Sequence, residues 1–312
     1  MTFSHLLIAI APEQPLGQSF HQALHFANRI GSRVTLLTII KDLAEFKEVA
    51  LHTSSTLDLL DKATQIYHDV LKQHVHTLRT QYPKIKFQTQ IRLGIPAIEI
   101  IKAAKETQAQ LIIIDSHREQ REQACQSGTT TRHLMRKSDV PIWSISHTTL
   151  SIRHVVAAVD MDEHENNGFR EKIVALAIDF CAITGAELTL AHAWRLESEG
   201  FLRNWSGYSD LEIAIVAKKM RADRHQRLND LLESCPTNAV TTQVQLLEGD
   251  ARKIMPDFVE QEGIDVVILG SLSRSGVAGF LMGNTAESML NKLSCSVITL
   301  KPDEFHSPVF SE

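Results

Sequence analysis

The segment most able to do chemistry lies late in the chain: Gly270-Ser-Leu-Ser-Arg-Ser-Gly276-Val-Ala-Gly279-Phe-Leu-Met-Gly283-Asn-Thr-Ala-Glu287. Its glycines let backbone approach a ligand with no Cβ in the way. A helix opening after Gly283 would aim N–H groups, with their partial positive charge, at an anion such as phosphate. Ser271, Ser273, Ser275 and Thr285 add hydroxyl donors, and Arg274 adds a charge. The bland reading has equal standing. Asn284-x-x-Glu287 has the spacing of a capping box, which starts a helix with no ligand at all. Glycine-rich spacing alone leaves phosphate binding and a bare turn both open.

Other constellations are thinner. Asp160, Asp162, Glu163 and Glu165 could hold Mg²⁺, although a charged loop after a strand is more often only solvated. His21 and His25 stand four apart, a spacing that lets two imidazoles share a metal, but no third ligand completes the face. His74-x-His76 points to different sides of a helix. Trp194 and Trp205 flank a segment, 195–207, long enough to cover a pocket or to pack against a neighbouring element. There is no Gly-x-Ser-x-Gly elbow and no P-loop lysine motif. No nucleophile with a base at readable spacing emerges.

The elements that position these residues come from an internal repeat. His5-Leu-Leu-Ile-Ala-Ile-Ala11 matches His154-Val-Val-Ala-Ala-Val-Asp160, and Gly31-Ser-Arg-Val-Thr-Leu-Leu matches Gly185-Ala-Glu-Leu-Thr-Leu-Ala. Leu111-Ile-Ile-Ile-Asp115 matches Val266-Val-Ile-Leu-Gly270, and that register holds without a gap from Gly94/Gly249 through Gly128/Gly283 to Ile145/Leu300. Two copies, 1–148 and 151–301, followed by a tail at 302–312, are expected. In the second copy, apolar runs at 153–159, 187–193, 240–247, 264–269 and 295–300 predict strands. Helical spacing covers 169–184, 209–234, 250–262 and a stretch from 284. Strands alternating with helices imply right-handed crossovers and parallel sheets. The fold class is therefore α/β: two tandem doubly wound, five-stranded sandwiches of Rossmann-like type. Ligands in such sheets sit beyond the carboxyl ends of the strands, where strand order reverses. The final strands, 141–146 and 295–300, are the candidate edges for a contact between copies. The stripe Leu59, Leu60, Ala63, Ile66, Val70 and Leu71 predicts a core-facing helix at 58–78.

Composition sets the outer limits. A chain of 312 residues has room for about two domains. With 43% hydrophobic and 22% charged residues it reads as globular rather than disordered. No apolar run approaches the roughly 18 residues a membrane span needs, so no membrane insertion is expected. Met1-Thr-Phe-Ser-His lacks the basic start of a signal peptide. The 4 cysteines are scattered, which fits a reducing, cytoplasmic setting. A net charge of −5 gives no nucleic-acid footprint. The charge is unevenly spread: residues 1–150 carry 17 Lys and Arg against 13 Asp and Glu, and the remainder 15 against 24. Halves with different partners and two drifting solvated faces would both produce that split.

Taken as a set, Val-Val-Ala-Ala-Val-Asp160, Gly249-Asp-Ala-Arg, and Gly270-x2-Ser-x9-Gly283-Asn-Thr-Ala-Glu closing in Ser-Val-Ile-Thr-Leu-Lys301 resemble the universal stress protein family. The tandem copies and the Lys301-Pro-Asp tail resemble its two-domain, E-type bacterial members. That resemblance spans essentially the whole chain. It implies a cytoplasmic stress-response protein, an internal pseudo-dimer, the capacity to form a homodimer, and ATP or ADP, with Mg²⁺, as ligand. Nucleotide-binding members use Gly-x2-Gly-x9-Gly-Ser/Thr around the phosphates, an Asp closing strand one, and backbone near the end of strand two. Carried over, these picks are Ala158, Val159 and Asp160; Ala191, His192 and Ala193; Gly270, Ser271 and Ser273; and Gly283, Asn284 and Thr285. The chain departs from the pattern at Ser273 and Asn284. The first copy departs further: Ala11 replaces the strand-one Asp, Asp115 and Arg118 take the first two glycine slots, and only Gly128-Thr129 survives. A carboxylate at Asp115 puts like charge where a triphosphate must approach. Nucleotide binding is therefore expected in the second copy and not in the first. A nucleotide-free scaffold or small-ligand binder, and a slow Mg²⁺-dependent ATPase, remain the competing readings.

Overall fold

The computed structural model describes residues 3–12, 17–41, 54–115, 128–146, 151–161, 168–196, 198–205, 207–237, 240–271 and 283–310. In chain order the first half runs β1 (His5–Ile10), α1 (Gln18–Ile30), β2 (Arg33–Ile40), α2 (Ser54–Gln81), β3 (Lys86–Leu93), α3 (Pro96–Thr107), β4 (Leu111–Asp115), α4 (Thr129–Lys137) and β5 (Ile142–Ile145). The second half runs β6 (His154–Ala158), α5 (Phe169–Thr184), β7 (Glu187–Trp194), α6 (Glu199–Trp205), α7 (Asp210–Glu233), β8 (Thr242–Glu248), α8 (Ala251–Gln261), β9 (Val266–Gly270), α9 (Asn284–Leu290) and β10 (Ser296–Leu300).

The strands form one ten-stranded sheet in the order β3-β2-β1-β4-β5-β10-β9-β6-β7-β8. Every neighbouring pair is parallel except β5 and β10, which meet antiparallel with Ser144 opposite Val297, Trp143 opposite Ile298 and Ile142 opposite Thr299. Each half alone has the doubly wound order, and the two final strands join them. The central strands are nearly continuous apolar runs, as expected where helices cover both faces.

One apolar layer lies on each face, and each contains residues of both halves. Trp143 of β5 is fully buried at the seam, with its ring 5.7 Å from Phe26 of α1 and 5.1 Å from Phe180 of α5. Phe26 and Phe180 also stack directly on one another at 5.1 Å. On the opposite face Ile142 and Val297 pack at the seam, and serines close one end of it. Ser146 Oγ donates to Ser294 O at 2.8 Å, and Ser296 Oγ accepts from Ser146 N–H at 3.0 Å.

The halves repeat in detail. Both α1 and α5 end in a left-handed glycine, Gly31 (φ 67°) and Gly185 (φ 77°), a backbone state that any Cβ would strain. Gln110 Oε1 accepts from Ser4 N–H at 2.6 Å, and its counterpart Asp265 accepts from Arg153 N–H at 2.7 Å. Each thereby ties down the amino end of its half's first strand. The expected core stripe on α2 needs one correction. Leu71 is buried, as are Val75 and Leu78 beyond the predicted stripe, but Ile66 and Val70 face solvent; the side chains of Leu59, Leu60 and Ala63 lie outside the described residues.

Candidate functional site

In the second half, strand order reverses between β6 and β9, and most of the residues picked from the sequence gather at their carboxyl ends. Asp160 stands exposed two residues beyond β6. Its neighbours are fastened to β7. Val159 N–H donates to Ala191 O at 2.9 Å, while His192 Nδ1 lies 3.1 Å from Val159 O and 3.4 Å from Met161 N. Whichever tautomer His192 adopts, its buried ring ties the backbone on one side of Asp160 to β7. Sequence reasoning selected His192 for its backbone; its side chain is what braces the Asp160 turn. Ala158 and Ala193 are half-buried and Ala191 is buried, all against the layer opposite α5.

Gly270 closes β9 against α5. A Cβ built there would lie 2.6 Å from Phe169 Cε1 and 3.5 Å from Ile173 Cδ1, so any side chain at this position must push the outer edge of the Phe169 ring aside. Ser271 is buried. Its N–H donates to Leu300 O at 3.1 Å, and its hydroxyl lies 3.3 Å from Met135 O and 3.5 Å from Leu300 O. Gly283 is the N-cap of α9, and its N–H donates to Ser271 O at 3.3 Å. Asn284 and Thr285 follow as exposed residues of the first turn. The anticipated capping box does not form: Asn284 is already helical, Gly283 makes no side-chain cap, and Glu287 instead pairs with Arg136 of the first half. A capping box does open α7, between Ser209 and Glu212. Ser273, Arg274, Ser275, Gly276 and Gly279 lie outside the described residues, as do Asp162, Glu163, Glu165 and Arg118.

The first half fills the equivalent place differently. Asp115 ends β4, and Ser19 of α1, itself buried, donates to Asp115 Oδ2 at 2.9 Å. Ser19 and Asp115 correspond to Ile173 and Gly270, so a hydroxyl–carboxylate pair stands where the second half has an aromatic–aliphatic contact over glycine. Ala11 is exposed, and Gly128 caps α4 ahead of Thr129.

His21 and His25 both turn to Tyr82. His21 Nδ1 lies 2.6 Å from the Tyr82 hydroxyl, and His25 meets the same ring edge-on. Burial pushes the Tyr82 hydroxyl above its usual pKa, which keeps it a neutral partner. Among the described residues no three His, Cys, Asp or Glu side chains come together to hold a metal ion. The segment after β7 carries α6, with Phe201 exposed, while Trp194 is buried beneath Arg224 of α7 at 5.4 Å. Asp250 caps α8 and receives the Arg252 guanidinium, which holds its carboxyl well below the ordinary range.

The model of the universal stress protein family matches residues 2–145 and again 151–301. Universal stress protein E of Escherichia coli (strain K12) is 22% identical over 98% of this chain and 96% of its own. The Haemophilus influenzae homolog of that protein is 20% identical over 97% of this chain and 99% of its own. Among solved structures, a universal stress protein from Archaeoglobus fulgidus DSM 4304 superposes with a TM-score of 0.63 at 16% identity, covering 96% of this chain and 99% of its own. Two copies of one family model on one continuous chain, with relatives aligned end to end, give a plain result: the chain belongs to the universal stress protein family, as a tandem, two-domain member of the E type.

Proposed function

We propose that this chain is a cytoplasmic stress-response protein without enzymatic activity, whose second domain, 151–301, holds an adenine nucleotide, ATP or ADP, while the first domain, 1–148, does not. The observation that carries this reading is the difference between the two strand-end crevices. The second offers Asp160, exposed on a turn braced by His192, with glycine at the end of β9. The first has lost that aspartate and sets the Ser19–Asp115 pair where phosphate would come. In the second crevice the Asp160 carboxylate would accept from ribose hydroxyls or take a share of Mg²⁺. Asn284 and Thr285 would offer donors to phosphate oxygens, and backbone of Ala191 to Ala193 would face the base. The second reading is a nucleotide-free scaffold. Its support is that Phe169 accounts for Gly270 with no ligand, and that the Ser271 hydroxyl is already engaged at the seam. Mass spectrometry of the small molecules released from the purified, denatured chain separates the two. ATP or ADP at near-equimolar amount supports the first reading; no nucleotide, even after incubation with MgATP, supports the scaffold.

A further inference from the structure

Both ends of the connection between β9 and α9 are fastened to one place, the last turn of α4, which belongs to the other half of the molecule. At its start, the buried Ser271 hydroxyl reaches Met135 O. At its close, Gly283 N–H returns to Ser271 O, and one turn later Glu287, whose own N–H donates to Gly283 O at 2.9 Å, pairs with the Arg136 guanidinium. Lys301, buried just past β10, donates to Arg136 O at 2.7 Å with its ammonium 4.0 Å over the Phe305 ring. The carbonyls closing a helix carry its partial negative charge, so they suit an ammonium and a hydroxyl donor. Burial pulls the Lys301 amine down to about 8, so holding its charge there depends on that carbonyl and ring.

Among the described residues the charged part of this arrangement runs one way. By the repeat, Arg136 corresponds to Asn291, Glu287 to Arg132 and Lys301 to Ser146. Asn291 has no charge to offer Arg132, and Ser146 spends its hydroxyl on Ser294 O. The second half therefore offers the first neither the ion pair nor the buried ammonium. From this asymmetry we infer that the end of α4 is a brace built by the first half for the close of β9 and the opening of α9 in the second, with Arg136 as its positioning residue. A first half with an altered crevice then keeps a direct role at the surviving one. What the loop holds rests on the nucleotide reading above; the brace itself does not.

The test uses the full chain and two independent readouts: amide hydrogen exchange across Gly283–Leu290, and MgADP affinity. Arg136→Glu sets like charges face to face, and α9 exchange is expected to speed up about ten-fold while MgADP affinity drops by a similar factor. Arg136→Ala, which removes a half-exposed pair, gives about three-fold. Combining Arg136→Glu with Glu287→Arg restores both readouts to within two-fold of the parent, which a merely misfolded variant would not do. Arg132→Ala leaves α9 exchange unchanged. Unaltered α9 exchange in Arg136→Glu, or failure of the charge swap to restore it, overturns the brace. Faster exchange in a chain that never binds MgADP leaves the brace standing and removes the nucleotide reading instead.

Discussion

The two halves share a backbone plan yet differ where it matters for ligands. At the end of the fourth strand the first half has Asp115 held by Ser19, and the second has Gly270 beneath Phe169 and Ile173. At the end of the first strand the first half has Ala11, and the second has Asp160 on a turn pinned by His192. A duplicated fold can thus keep every strand register while the residues at the strand ends, which do not pack the core, diverge. The halves also differ in what they give each other: α4 supports the opening of α9 through Arg136, and by the repeat Asn291 and Ser146 return neither that ion pair nor the Lys301 ammonium.

The largest expected effect comes from breaking the seam that makes the halves one body. Trp143→Ala removes a fully buried ring that touches Phe26 of one half and Phe180 of the other. It should cost about 3–5 kcal/mol. Scanning calorimetry should then resolve two transitions where the parent shows one; an unshifted single transition would show that the rings do not couple the halves.

A smaller effect is expected from giving the second half the residue of the first. Gly270→Asp drives a Cβ to within 2.6 Å of the Phe169 ring, an overpacking that should cost about 1–3 kcal/mol. Adding Phe169→Ala and Ile173→Ser, which clears the ring and supplies the first-half hydroxyl, should recover much of the loss. The reverse change, Asp115→Gly, overpacks nothing and forfeits the Ser19 hydrogen bond, a loss worth about 1 kcal/mol. Urea midpoints compare all three, and equal costs for Gly270→Asp and Asp115→Gly would erase the claimed difference.

The smallest effect separates His5 from His154, its repeat counterpart. His5 is buried, donates from Nδ1 to Thr107 O at 2.7 Å and accepts at Nε2 from the Thr35 hydroxyl at 2.8 Å, whereas His154 is exposed. Burial, the leading cause, lowers the His5 pKa below 6.5 against a weaker opposing pull from the Thr107 carbonyl. Since the folded state prefers neutral His5, its contribution is complete above pH 6.5 and fades as pH falls through the folded-state value. His5→Gln should therefore flatten the acid side of the stability profile. An unchanged slope below pH 6.5 would show that His5 does not contribute to it.

Much of this architecture is legible in the sequence because apolar periodicity reports local structure faithfully. The spacing over 169–184 coincides with α5, and that over 209–234 differs from α7 by one residue at each end. Periodicity does not report how far an element extends past its neighbours. The 28 residues of α2 reach about 42 Å, against about 26 Å for the eight residues of β3 beside it. Ile66 and Val70 nonetheless fall within that span and face solvent because they stand on the side of α2 turned away from Leu71, Val75 and Leu78. The crevice was readable only in part, since a glycine looks alike whether it admits phosphate or a phenyl ring. Asn284-x-x-Glu287 misled for a related reason. The spacing of a cap is local, but the Arg136 that claims Glu287 stands 151 residues away.

The account stands or falls on how many nucleotides one chain binds and where. Isothermal titration of the intact chain with MgATP, repeated with Asp160→Ala and Asp115→Ala, measures both. One equivalent is predicted, weakened in Asp160→Ala and unchanged in Asp115→Ala. Two equivalents, or none, or a single site that survives Asp160→Ala and is lost in Asp115→Ala, would contradict it.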